Sequence, residues 1–320
     1  LKGRSVQRRC IGSIYWPPMP TTPQRPPTID ATAARRWARL APSAGSGSPW
    51  LHEEIGRRME DRLQWIKTVP RSWLDWAPLR GGLEAHALVA RRYRDASAFV
   101  VEPEPVLVAP TREALAAPWW TARRWQGGRE RFEAPPEAGV DLLWANMALH
   151  MAADPQALIA HWHRLVATDG FLMFSCFGPD TLRELHAAYR ELGWPAPGHD
   201  FTDMHDWGDM LVGAGFAEPV MDMEHVVLTY ATPEAALAEL RTLGRNLHPR
   251  RFGSLRGRAW RARLGQALAQ RADANGRIGF TFEIIYGHAF RPTARVPLAP
   301  ESALSLQEMR SMLQRGRPAS

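Results

Sequence analysis

The sequence predicts an α/β fold in which helices cover both faces of a mostly parallel sheet. Three observations predict it. Short, continuous apolar runs such as "GVDLLWANMAL" (139–149) and "GFLMFSCF" (170–177) have the length of strands buried on both faces. The segments between them carry apolar residues at helical spacing. Strand and helix then alternate from residue 72 to residue 177, the pattern of strands joined by helical crossovers.

The elements follow in order. "WLHEEIGRRMEDRLQWI" (50–66) spaces Leu51, Ile55, Met59, Leu63 and Ile66 along one helical face. "SWLDW" (72–76) is the first strand and "GGLEAHALVARRY" (81–93) the helix after it. "ASAFVVEP" (96–103) is a second strand, closed by Glu102 and Pro103. "DPQALIAHWHRLVA" (154–167) separates the two long apolar strands. Beyond 178 come two helices, "PDTLRELHAAYREL" and "DMHDWGDMLVGAG", the second with a C-terminal glycine signal. A strand, "PVMDMEHVVLTY", precedes a helical insertion over 232–275, and "RIGFTFEIIYGHAF" is the last strand. Residues 1–49 read as an N-terminal segment and linker, proline-rich over 17–28 and Gly/Ser-rich over 42–49, with "IDATAARRWARLA" between them able to form a short helix. The folded domain spans 50–292, and 293–320 is a flexible tail. The chain opens on Leu1 and "MPTTPQRPP" starts at Met19, so residues 1–18 are expected to be upstream translation or a mis-called start, and not structure.

The net charge of +7 comes from the ends. Residues 1–18 carry four basic groups and no acid, and residues 291–320 carry five arginines against two glutamates, whereas residues 19–290 hold 31 basic and 31 acidic groups. Overall basicity is therefore no argument for nucleic acid. No apolar run approaches the ~20 residues of a membrane helix. Cys10 and Cys176 form neither a disulfide framework nor a metal-ligand spacing, so no metal is expected and a reducing cytoplasm is the natural setting.

In open α/β sheets the ligand lies beyond the carboxyl ends of the strands, and the first strand's loop must let its backbone come close. An Asp-x-Gly-x-Gly-x-Gly spacing here gives Asp75, Ala77, Leu79 and Gly81: the acid and the last glycine are kept, the middle two are not. Pro78 removes one amide donor as well. Glu102, at the end of the second strand, is placed to accept hydrogen bonds from the two hydroxyls of a ribose.

"VDLLWANMALHMAADPQALIAHWHRLVATDGFLMFSCFGPDTLREL" (140–185) resembles class I S-adenosylmethionine-dependent methyltransferases. With "FTDMHDWGDMLVGAGFAEPVMDMEHVVLTY" and "FEIIYGHAFRP", it resembles the biotin-pathway malonyl-carrier-protein O-methyltransferases among them. The likeness is strong over 140–292 and poor over 72–135. It implies a Rossmann-like sheet of seven strands with an antiparallel last strand. It also implies that Asp75 and Gly81 frame the methionine end of S-adenosyl-L-methionine, that Glu102 holds the ribose, that Glu133 and Ala134 lie beside the adenine, and that Asn146 and Met147 line the sulfonium. The family moves a methyl group to the free carboxylate of a malonyl thioester. That group is ionised at neutral pH and needs no strong base. An arginine fork suits it, and Arg183 is the first choice. His150 lies close to the substrate, and Tyr286 with His288 would close the pocket.

From 241 to 271 the insertion holds nine arginines and no acid. Arg241, Arg245, Arg250, Arg251, Arg256, Arg258, Arg261 and Arg263 would offer a docking face for an acidic acyl carrier protein; a solvated basic surface is the bland alternative. "APWWTARRWQGG" (117–128) reads as aromatic packing with no assigned function. Two other expectations stand beside this methyltransferase: a catalytically silent protein of the same fold that binds an acyl carrier or a partner enzyme, and a methyltransferase for some other small carboxylate.

Overall fold

The computed structural model describes residues 29–40, 47–116 and 130–293. The tryptophan-rich stretch 117–128, the proline-rich segment 17–28, residues 1–18, most of the 42–49 linker and nearly all of the tail lie outside the described residues.

Seven strands form one sheet: β1 (Ser72–Trp76), β2 (Ser97–Val101), β3 (Glu130–Arg131), β4 (Val140–Ala145), β5 (Val166–Phe177), β6 (Ala217–Tyr230) and β7 (Ile278–Phe290). Their order is β3-β2-β1-β4-β5-β7-β6. The first five pair in parallel, with Leu74 opposite both Phe99 and Leu143. β7 runs antiparallel to β5 and β6, setting Tyr286 opposite Ser175 and Asp222.

Alternate side chains of the central strands point to opposite faces, and both faces are covered. Trp73, Leu142, Trp144, Phe171 and Met173 pack beneath α2 (Trp50–Arg62), whose Leu51, Ile55 and Met59 are wholly buried. Each of these three stabilises the fold by ~1.5–3 kcal/mol. Leu74, Leu143, Leu172 and Phe174 pack on the other face against α6 (Pro155–Leu165) and α8 (Met204–Gly213) through Ile159, Trp162, Trp207 and Leu211. The N-terminus of α6 is set by Asp154, which accepts the Ala157 N–H, with proline in the first turn.

The remaining helices are α1 (Ala31–Ala38), α3 (Pro78–Gly81), α4 (Leu83–Arg92), α5 (Pro105–Leu115), α7 (Arg183–Glu191), α9 (Pro233–Leu243) and α10 (Arg258–Ala269). α1 falls inside the stretch assigned to the N-terminal linker. Asp30 caps it by accepting the Thr32 and Ala33 N–H groups and pairs with Arg251 at 2.7 Å, and the Asp30 N–H reaches the Leu247 carbonyl. These contacts tie α1 to the segment between α9 and α10.

Candidate active site

After β1 the chain turns through Ala77, at φ 58, into the single turn of α3; it then passes Gly82, at φ 143, into α4. Both angles lie in the left-handed region that favours glycine. Asp75 is buried and its carboxylate lies 2.8 Å from Nδ1 of His86 on α4. Burial pushes its pKa up, and the His86 contact opposes that. Asp75 thus ties β1 to α4.

The loop's backbone donors are all engaged within the chain. The Ala77 N–H goes to the Val101 carbonyl, and those of Arg80, Gly81 and Gly82 close the α3 turn on Ala77 and Pro78. The Leu79 N–H donates to Oε1 of Glu102 at 3.1 Å. Leu83, Glu84 and Ala85, the first residues of α4, donate to the carboxylate of Glu53 on α2 at 2.8, 3.2 and 2.9 Å. Pro78 has no N–H to offer. The carbonyls are held too: Leu79 by Ser48 Oγ, Arg80 by Nδ1 of His52, and Gly81 by Nδ2 of Asn146. Gly81 sits so close to β4 that a Cβ there would lie 2.8 Å from the Asn146 carbonyl oxygen.

Glu102 directly follows β2 and is only 8% exposed. Oε1 also accepts from Thr111 Oγ1 at 2.8 Å, whereas Oε2 has no partner. Burial pushes its pKa up to about 7, against the pull of the Leu79 and Thr111 hydrogen bonds.

At the end of β4, Asn146 binds the His52 and Gly81 carbonyls through Nδ2, and its Oδ1 accepts from Ser175 Oγ at 2.6 Å. Met147, at φ 53, donates its N–H to Ser175. His150 packs on Phe177 and Phe201, with ring centroids 4.6 and 5.7 Å away. His199 donates to the His150 carbonyl at 3.2 Å, and His52 meets Phe177 edge-on. His52, His150 and His199 each leave one buried ring nitrogen without a partner. Burial holds His52 at about 4 and His150 well below the ordinary imidazole value, so both are neutral at neutral pH. Nothing in the sequence singled out His52, Glu53 or His199; only tertiary proximity brings them here.

No family model matches the chain. The malonyl-[acyl-carrier protein] O-methyltransferase of Gallionella capsiferriformans (strain ES-2) is 34% identical over 276 residues, covering 84% of this chain and 93% of that protein. The enzyme of the same name from Laribacter hongkongensis (strain HLHK9) is 36% identical over 254 residues, covering 77% and 84%. That of Nitrosospira multiformis (strain ATCC 25196 / NCIMB 11849 / C 71) is 34% identical over 291 residues, covering 86% and 94%. The chain belongs to the malonyl-[acyl-carrier protein] O-methyltransferase family.

Its sheet, with the reversed β7 between β5 and β6, is the class I methyltransferase sheet expected of that family. Tested against an S-adenosyl cofactor, the two ends of the site differ. The ribose end fits: Glu102 Oε2 is buried and unpartnered where a hydroxyl donor would come. The amino-acid end does not fit, because the amides that would receive it are held by Glu53 and Glu102, and Pro78 and Leu79 are buried in the loop.

The other expected site residues are spread more widely in this methyltransferase. Glu133 and Ala134 lie exposed just after β3. Arg183 opens α7 with 58% of its side chain exposed, 3.2 Å from Glu184 and 3.9 Å from Asp180. Tyr286 is buried, donates its hydroxyl to Glu224 at 2.8 Å and lies beneath the Arg62 guanidinium. It therefore faces the Arg58, Arg62 and Glu224 side, where these three with Asp61, Gln64 and Trp65 line an open cleft of about 390 Å³. His288 is half-buried on β7, edge-on to Phe290. Asp180, His225 and Glu283 bring ligand atoms within 4.8 Å of one another, but Glu283 already accepts the Asp180 N–H.

The basic insertion divides in two. Arg241, Arg250, Arg258 and Arg261 are exposed and make no ion pair among the described residues. Arg245 caps the end of α9 through the Arg241 and Gly244 carbonyls, and Arg251 holds Asp30. Arg263 lies over Trp194, and Arg256 lies within 5.6 Å of the ring centres of Tyr189, Trp194, Phe252 and Trp260.

Proposed function

We propose that the chain transfers a methyl group from S-adenosyl-L-methionine to the free carboxylate of a malonyl thioester carried by an acyl carrier protein, early in biotin synthesis. The observation that carries this is 34% identity across 93% of a malonyl-[acyl-carrier protein] O-methyltransferase. The setting is cytoplasmic, in keeping with the buried thiol of Cys176. No helix among the described residues is long and apolar enough to cross a membrane.

The bound cofactor would supply an electrophilic methyl group; the rest of the task is positioning. The substrate carboxylate is already ionised, so the neutral imidazoles of His52 and His150 are not required as bases. Phe177 and Phe201, packed around His150, keep water from that end of β4. Arg183 is the carboxylate anchor: it stands at the carboxyl end of β5, is exposed, and already engages two carboxylates that an incoming one can replace. Arg241, Arg250, Arg258 and Arg261 are the free part of the carrier-docking face.

The test is transfer of labelled methyl to malonyl-carrier protein, with malonyl-coenzyme A as the competing substrate. Arg183→Ala should raise KM by at least tenfold while the fold is kept; unchanged kinetics would remove Arg183 from the site. The second reading, a silent protein that binds the carrier, is favoured by the engaged loop amides. It requires carrier binding with no methyl transfer.

A further inference from the structure

The first loop of a doubly wound sheet binds ligands by offering backbone N–H groups, and the N-terminus of the following helix adds its dipole to any anion placed there. In this chain the anion is a side chain of the protein. Both oxygens of Glu53 are used: Oε1 takes the N–H groups of Leu83 and Glu84, and Oε2 takes that of Ala85. The backbone is shaped for this contact, since a Cβ on Gly82 would lie 2.8 Å from Glu53 Oε2. Ser48 Oγ, 3.0 Å from the Leu83 N–H, closes the same end. One turn away, the Leu79 amide occupies Oε1 of Glu102 and leaves Oε2 buried and unpartnered. An acid with one oxygen satisfied by the loop and the other by nothing is a half-filled ligand site.

We infer that this chain keeps the amino-acid half of its cofactor site shut with its own groups, Glu53 on the amides of Leu83–Ala85 and Leu79 on Glu102, so that cofactor binds only when these contacts let go. The inference rests on the methyltransferase reading and deepens it. Two carboxylates cannot share three amides: the cofactor's amino-acid carboxylate and Glu53 exclude one another by charge and by volume. α2 does not need to move, because Leu51, Ile55 and Met59 anchor it in the core. The moving parts are the Glu53 side chain and residues 77–82. Affinity falls by the fraction of molecules in which they are open.

The test is calorimetric titration of the full chain with S-adenosylhomocysteine, which reads binding without turnover. Wild type, Glu53→Ala and Glu53→Gln, which removes the competing charge and keeps the volume, are compared, each shown to be folded by its thermal transition. Amide exchange at Leu83–Ala85 is followed in parallel. A shut site predicts slow exchange in the free wild type, and affinity at least tenfold tighter in both variants. Equal affinity in all three proteins overturns the inference and leaves the methyltransferase reading standing. Absence of binding by all three, with no methyl transfer in the carrier assay, overturns both.

Discussion

The backbone N–H of Leu79 donates to the carboxylate of Glu102 at 3.1 Å, joining the loop after the first strand to the acid at the end of the second. This contact gives Glu102 a structural task in the folded protein.

The burial of Glu102, which outweighs this contact, has a pH signature. Burial raises the Glu102 pKa from 4.5 to about 7. Between these values the folded protein binds more protons than the unfolded chain, so stability falls as pH rises through the window. The contribution is fully present below about 4.5 and lost above about 7, with a span on the order of 3 kcal/mol. Asp75 is also raised and acts in the same direction, whereas the depressed imidazoles of His52 and His150 act against it, so the readout is the difference between wild type and Glu102→Gln. In urea unfolding across pH 4–8, the stability of wild type relative to that variant should fall as pH rises; a difference that does not change with pH would mean Glu102 is not the group responsible.

Ala77 stands where the loop spacing asks for a first glycine, and it holds the left-handed conformation a glycine would adopt freely. An L-residue there costs about 1–2 kcal/mol, partly offset by glycine's greater freedom in the unfolded chain. Ala77→Gly should be neutral or stabilising by up to about 1 kcal/mol. Ala77→Val, branched at Cβ, should destabilise by about 2 kcal/mol or more. Equal losses for the two variants in urea unfolding would show that the side chain, and not the backbone angle, decides the position.

Asn146, directly after β4, joins three other elements: α2 through the His52 carbonyl, the loop through the Gly81 carbonyl, and β5 through the Ser175 hydroxyl. Its removal strands buried polar groups on each. Asn146→Ala should lower stability by about 2–4 kcal/mol, read as a shift in the urea midpoint. A loss under 0.5 kcal/mol would mean that solvent or a rearranged loop replaces these contacts.

The sheet was legible because two-sided burial writes itself as runs of Val, Leu, Phe and Trp, as at 140–145 and 170–177, and the reversed last strand came with the family resemblance. The degenerate spacing Asp75, Ala77, Leu79, Gly81 was legible as well. What fills it was not. Glu53 lies 30 residues from Leu83 on the polar side of an amphipathic helix, where a glutamate carries no local signal. The helix over 31–38 owes its place to Asp30 pairing with Arg251, 221 residues away. The arginine run was legible as charge but not as packing, because aromatic partners such as Tyr189 and Trp194 come from α7 and the loop after it.

That division of the arginines yields the last prediction. Arg256 lies against four aromatic rings, among them Trp194 and Trp260, stacked 5.7 Å apart. Cation–π contacts of this kind contribute ~0.5–2 kcal/mol, and the aliphatic stem adds packing. Arg258 and Arg261 project from α10 into solvent. Arg256→Ala should therefore lower the unfolding midpoint, whereas the Arg258→Ala, Arg261→Ala double variant should leave stability within ~0.5 kcal/mol. The double variant should instead weaken binding of an acidic carrier protein several-fold at low salt, with the difference shrinking as salt rises, since exposed charges act through a screened field. Calorimetric titration with malonyl-carrier protein at two ionic strengths reads both arms. Unaltered carrier affinity in the double variant would make the exposed arginines a solvated surface and move the docking site elsewhere on the molecule.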